Sequence, residues 1–242
     1  MKNLYEEFHK DTILQKKIIS KSNFTYRIIL NEINNLNLIN SKILDIGCGA
    51  GTIDFYLASK GNTVLGIDIS KNSIECCKES AKVMKLEDNT NFRVMNFPDE
   101  YPKDKFDFIL CEEVLEHLED DKGALEVMFS LLLNDGFALI TVPSLNAPLY
   151  KLGLVKKFDQ RVGHLRRYST KEILDKCQKA NFKIIFFKKK ESILRNFLFL
   201  NPLAGKIIKF IRGPISDFVS FIDDLLVPVF GESDLIILLK KE

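Results

Sequence analysis

The sequence has no Cys-x-x-Cys pair. Its five cysteines (Cys48, Cys76, Cys77, Cys111, Cys177) are odd in number and lack metal-ligand spacing. That excludes a thiolate metal framework and predicts reduced thiols in a cytosolic protein. No run of about 18 uncharged apolar residues occurs, so no transmembrane helix is expected. No apolar signal segment opens the chain. The formal net charge of +2 is too small for a bulk nucleic-acid binder. Internal repeats and low-complexity stretches are absent as well. What remains, 46% hydrophobic and 28% charged over 242 residues, fits an ordinary α/β domain, and a single domain over 1–242 is expected.

The informative stretch is Lys42-Ile43-Leu44-Asp45-Ile46-Gly47-Cys48-Gly49-Ala50-Gly51-Thr52. A short apolar run reads as a buried strand, and three glycines at alternate positions break it. Ile53, Phe55, Tyr56, Leu57 and Ala58 then resume with helical spacing. Strand, glycine turn and helix together open a nucleotide site, because glycines let the backbone approach a ligand or take positive φ. A second apolar strand, Thr63 to Ile67, ends in Asp68, 21 residues beyond Gly47. That is about the spacing at which a carboxylate meets the ribose hydroxyls of an adenosine. Thr52 stands where the third glycine of the dinucleotide fingerprint would be, which argues against a nicotinamide cofactor.

With Asp45 in front of Gly47, Gly49 and Gly51, the stretch resembles motif I of the class I S-adenosylmethionine-dependent methyltransferases. Within the type-11 and type-12 groups, the chain resembles the ubiquinone-biosynthesis O-methyltransferases. The resemblance covers roughly residues 25–190 and the last strand. It implies S-adenosylmethionine as cofactor and a Rossmann-like α/β fold with helices on both faces of a seven-stranded sheet. The implied strand order is 3-2-1-4-5-7-6, with the last strand antiparallel. It also implies roles for several residues. Arg27, 20 residues before Gly47, matches an arginine that binds the cofactor, and a guanidinium offers a carboxylate a fork of donors. Asn96 would lie beside the adenine. Backbone atoms around Cys111 and Glu112 would hold the methionine end. Glu113, Glu116 and His117, in a stretch reading Glu-Val-Leu-Glu-His, match residues that hold a divalent metal in some ubiquinone-pathway relatives. Their i, i+3, i+4 spacing places them on one face if the segment is helical. The competing reading has Glu116 and His117 shaping the loop and lining the acceptor pocket.

Helices are expected over 3–20 and 22–36 as a cap on the cofactor cleft (1–36), and from Ser70 to about Met84, with Ser70 as N-cap. Further helices are expected over 120–133 and 170–180. Strands are expected over 91–95, 106–110, 137–142, 182–187 and 233–239, with a turn at Asn134-Asp135-Gly136. Lys188-Lys189-Lys190 reads as a solvated strand end.

Two segments stand outside this frame. Residues 144–169 follow the fifth strand, beyond whose carboxyl end a ligand sits, and carry seven Lys, Arg and His residues against one acid, Asp159. They read as an acceptor loop, with His164 in a Gly-His-x-Arg-x-Tyr stretch as a base. Residues 191–232 form an apolar helical insertion. It reads as a lid, as a membrane-surface or lipid contact helped by Lys206, Lys209 and Arg212, or as packing on its own domain or a dimer face.

A sulfonium-bound methyl is already activated, so the protein must align a nucleophile and exclude water. An unperturbed imidazole titrates near neutrality, so His164 and His117 are the candidates to take the acceptor's proton. The expected acceptor is a small molecule, with glycans, sugars and lipid-linked compounds as choices. The alternatives are an RNA methyltransferase and a non-enzymatic binding or scaffold protein.

Overall fold

The computed structural model describes residues 13–21, 23–200 and 214–242. Seven strands form one sheet: β1 (Lys42–Ile46), β2 (Thr63–Asp68), β3 (Thr90–Val94), β4 (Phe106–Glu112), β5 (Leu132–Pro143), β6 (Lys183–Lys190) and β7 (Asp234–Lys240). The order is β3-β2-β1-β4-β5-β7-β6. β1 to β5 run parallel, and β7 lies antiparallel between β5 and β6. This is the Rossmann-like methyltransferase fold implied by the resemblance.

The central strands are buried on both faces, which explains their unbroken apolar runs. Along β4, Phe108 and Leu110 enter one core cluster while Ile109 and Cys111 enter the other, as the two-residue period of a strand requires. One face is covered by α1 (Arg27–Asn35) and α2 (Thr52–Ala58), through Leu30, Ile33, Tyr56 and Leu57. The opposite face is covered by α4 (Asp121–Leu131) and α7 (Thr170–Lys179), through Leu125, Met128, Ile173 and Cys177. Between β2 and β3, α3 (Lys71–Met84) starts at Ser70, whose hydroxyl accepts the Ser73 amide at 3.2 Å.

Several elements depart from expectation. Of the first helix, residues 1–12 lie outside the described residues, and 13–21 are not helical. Ile18 and Ile19 are neighbours that cannot share a face, and only Ile19 packs against the core. The second helix starts at Arg27 because Asn23 turns the chain, its side-chain oxygen accepting the amides of Thr25 and Tyr26. β5 is longer than expected. Asn134-Asp135-Gly136 is an irregularity inside it, where the register to β4 shifts and Asp135 takes φ 63°.

The three lysines at the end of β6 are partly exposed but also ion-paired. Lys188 binds Glu32 at 2.6 Å, Lys189 binds Glu232 at 3.4 Å and Lys190 binds Asp224 at 2.9 Å. Their partners are far away in sequence, so no local pattern marks them. The acceptor segment contains two short helices, α5 (Pro148–Lys151) and α6 (Lys156–Val162). The insertion contains α8 (Ile193–Leu200) and α9 (Pro214–Phe230). Residues 201–213, with Lys206, Lys209 and Arg212, lie outside the described residues.

Candidate functional site

The carboxyl ends of β1, β2, β3 and β4 open onto one cavity of about 380 Å³. At one end lie Gly47, Gly49 and Asp68. Met95, Asn96 and Phe97 form a wall beyond β3. At the other end are Glu113, Val114, His117 and Leu118 after β4, with Phe158, Val162 and His164 from α6 and the turn behind it.

The glycine turn is tight for stated reasons. Gly47 takes φ 76°, and a Cβ there would lie 2.4 Å from Val114 Cγ2. Gly49 takes φ 50° and has open space where a Cβ would stand. Its amide donates to Asp68 Oδ2 at 2.9 Å, while the Ser70 amide donates to Oδ1 at 2.8 Å. Each carboxylate oxygen keeps a lone pair for a further donor. Gly51 takes φ 72° and ends the turn as the N-cap of α2, away from the cavity. The turn thus offers the cavity a carboxylate acceptor, a bare backbone and an apolar wall.

Asp45 does not face the cavity. It lies beneath the turn against Asp54, and burial raises both carboxyls, Asp54 to about 7. Two facing carboxyls that share protons cost less than two charges without water. Asn96 reaches the cavity, but its side-chain amide donates to Asp99 at 3.0 Å. Arg27, in the first turn of α1, pairs with Asp217 at 2.7 Å and donates to Ser216 at 3.2 Å. It is not among the residues lining the cavity. Glu112 lines a second, small cavity of about 50 Å³ with Glu113, Glu191 and Asp234. Burial raises Glu112 to about 7 and lifts Glu113 and Asp234 well above the usual carboxylate range.

The segment after β4 does not meet the helical condition under which Glu113, Glu116 and His117 share a face. β4 extends through Glu112, Glu113 takes φ 53°, and only Leu115–His117 forms a single 3₁₀ turn. Glu113 therefore leaves the line of Glu116 and His117, and Thr141 Oγ1 donates to its Oε1 at 2.9 Å. Its place is taken by His164 of the acceptor segment. Glu116, His117 and His164 offer one ligand-type atom each, all within 4.8 Å of one another.

Each group in this cluster is oriented from behind. His117 Nδ1 donates to the Gly163 carbonyl at 3.1 Å, and His164 Nδ1 lies 3.0 Å from Asp159 Oδ1. Both Nε2 atoms then face Glu116 Oε1, at 3.8 Å and 3.7 Å. Arg167 grips Asp159 with two bonds, of 2.9 Å and 2.6 Å. Burial works against the Asp159 charge, but the bonds from His164 and Arg167 together hold it down to about 2. Burial lowers His117 to about 4 and raises Glu116 to about 8. Neither Glu116 oxygen has a hydrogen-bond partner among the described residues, although the residue is fully buried. A proton held between carboxylate and imidazole, or a cation, satisfies this arrangement.

The acceptor segment is fixed to the 3₁₀ turn. The Leu165 amide donates to the Glu116 carbonyl at 2.9 Å, and Tyr168 donates from its hydroxyl to Leu115 at 3.1 Å and to Asp121 at 2.7 Å. Asp159, Arg167 and Gly163 support the site, and their roles are not deducible from spacing. The only local signal was the isolation of Asp159 as the one acid in a basic stretch.

The chain is similar to known proteins. A 35% identical stretch of 118 residues, 49% of this chain and 48% of the relative, aligns with the ubiquinone biosynthesis O-methyltransferase of Pelagibacter ubique. The Idiomarina loihiensis enzyme of the same name is 26% identical over 183 residues, 71% of this chain and 70% of the relative. Over most of these curated relatives the chain spans about half their length. Among solved structures, phosphoethanolamine N-methyltransferase 2 of Haemonchus contortus, with bound S-adenosyl-L-methionine, superposes with a TM-score of 0.68 at 16% identity. That match covers 99% of this chain and 56% of the other. The methyltransferase domain model matches residues 39–194, and the chain belongs to that family, the class I S-adenosylmethionine-dependent methyltransferases.

Proposed function

We propose that the protein transfers the methyl group of S-adenosylmethionine to a small-molecule acceptor with an apolar body and a hydroxyl or amine nucleophile. The observation that carries this reading is that one cavity joins the cofactor residues to the two histidines. Asp68 receives the ribose, Gly47 and Gly49 admit the cofactor's backbone-facing side, and Met95, Asn96 and Phe97 flank the adenine. When bound, the cofactor supplies an activated methyl on a cationic sulfonium. Of the buried acids nearby, Glu113 lines the cavity at that end. Arg27 reaches the cofactor's carboxylate only after releasing Asp217.

Phe158, Val162, Val114 and Leu118 exclude water around the acceptor. His164 takes the nucleophile's proton on Nε2, and Asp159 stabilises the imidazolium from behind, as carboxylate–histidine pairs do. A lipid-linked acceptor suits the apolar wall better than a free sugar does. The relatives named for ubiquinone biosynthesis point the same way.

A second reading of the same cluster rests on the unpartnered Glu116. Glu116, His117 and His164 would hold a divalent cation of the zinc type, with Asp159 and the Gly163 carbonyl as outer partners. Such an ion lowers the pKa of an acceptor hydroxyl.

The test is a calorimetric titration with S-adenosylmethionine, S-adenosylhomocysteine and NAD, followed by methyl release on lipid, sugar and RNA pools. Micromolar binding of the first two, no NAD binding and turnover on an apolar pool are expected. Absence of cofactor binding would leave the scaffold reading in front. Turnover on RNA with a steep salt dependence would favour a nucleic-acid acceptor.

A further inference from the structure

α9 is inside out. Its inward side is polar: Ser216, Ser220 and Asp223 are buried. The Asp223 carboxylate accepts the amides of Ser192, Leu194 and Arg195 at 2.7, 3.0 and 3.1 Å, capping the start of α8. Its outward side is apolar. Ile215, Phe218, Phe221, Leu225, Val229 and Phe230 are between 44% and 73% exposed. The two outward acids, Asp217 and Asp224, are tied to Arg27 and Lys190. A helix of 17 residues presents this face along about 25 Å. A patch of that extent on a monomer marks an interaction site.

The charge beside the face has one sign. α8 packs against both α9 and α5. Beyond α5 come exposed Lys151, Lys156, Lys157 and Arg161, none paired with an acid among the described residues. Asp159, the acid of that stretch, is taken by Arg167 and His164. A second copy of the chain across the same face would set these cations against each other. A layer of phosphates complements them, with acyl chains for the phenylalanines.

We propose that α9 and the α5–α6 edge form a docking surface for an anionic phospholipid bilayer. The helix lies in the headgroup plane with its apolar side in the acyl boundary, and the lysines contact phosphate. The proposal does not rest on the methyl acceptor assigned above.

The chain has no tryptophan, so Phe218→Trp gives a single fluorescent reporter. The full-length variant should shift its emission to the blue on phosphatidylglycerol–phosphatidylcholine vesicles and be quenched by brominated acyl chains. Neither change is expected on phosphatidylcholine alone, and both should fade in high salt. In co-sedimentation, Phe218→Glu with Phe221→Glu should weaken vesicle binding at least tenfold while S-adenosylhomocysteine binding stays intact. If that pair fails to fold, Lys156→Glu with Lys157→Glu carries the comparison on anionic vesicles. No emission shift, or equal binding to neutral vesicles, overturns the proposal. So does a solution dimer that the Phe218 and Phe221 changes dissociate, which would assign the face to a second copy.

Discussion

Glu116 is fully buried, lacks a hydrogen-bond partner among the described residues and is raised by burial to about 8. An isosteric amide removes its charge without opening a cavity. Glu116→Gln is expected to leave the melting temperature unchanged or slightly higher, because a costly buried ionisation is gone. Methyl transfer should fall at least tenfold, and any zinc affinity should vanish; thermal scans beside turnover and zinc titration check this. A fall in stability together with full activity would make Glu116 a purely structural carboxyl. Asp68 works differently, because it holds the Gly49 and Ser70 amides and, in the function proposed above, also receives the ribose. Charged hydrogen bonds contribute roughly 1.5–3 kcal/mol. Asp68→Ala should therefore weaken S-adenosylhomocysteine binding by about 10- to 100-fold, and Asp68→Asn by less. Calorimetry showing equal affinity in all three would remove Asp68 from the cofactor site.

At the scale of elements, a buried cation is one of the ties that hold the insertion to the body. The Arg195 guanidinium is 1% exposed, pairs with Glu191 at 2.7 Å, donates to the Phe24 carbonyl at 3.0 Å and stacks over the Phe24 ring. Arg195→Ala leaves Glu191 buried without its partner and should cost about 3–5 kcal/mol. Urea unfolding measures it, and a loss below about 1 kcal/mol would show the insertion to be loosely attached. The i,i+4 spacing to Glu191 is local, but the bond to Phe24 joins segments far apart, so no pattern in the sequence marks this arginine as an anchor. The sheet is different: apolar runs, three glycines and a terminal acid are local signals, so strands and cofactor turn were legible. Whether the post-β4 segment is helical was not legible, because Glu113 adopts a left-handed φ that spacing cannot reveal. His164 stood out in the sequence as a candidate base but not as the neighbour of Glu116. That contact depends on the acceptor segment folding back onto the 3₁₀ turn. α9 was legible as apolar, but which side faces water depends on Asp223 capping α8.

Across the whole molecule, the acidic groups around the site set the direction of its pH response. Burial raises Asp45, Glu113 and Asp234 well above the usual range, Asp54 and Glu112 to about 7 and Glu116 to about 8. In each, folding favours the protonated form. Their contribution is complete below the ordinary carboxylate range, near 4, and is lost as pH rises through 7 and 8. Asp159 and Asp121 are shifted downward and act in the opposite sense, but only below about pH 4, and His117, lowered from 6.5 to about 4, opposes the six acids only up to its ordinary value. Between pH 5.5 and 8.5 the first group governs. Because coupled carboxyls share their protons, the loss is of the order of a few kcal/mol, not the sum of the single shifts. For a chain of this size that lowers the melting temperature by about 10 °C. Calorimetric scans at fixed ionic strength test this, and a flat or rising melting temperature would contradict it. S-adenosylmethionine brings a sulfonium charge into the same region, so it should flatten the slope more than S-adenosylhomocysteine, which lacks that charge. Equal flattening by both would place the titrating carboxyls away from the methyl-bearing end.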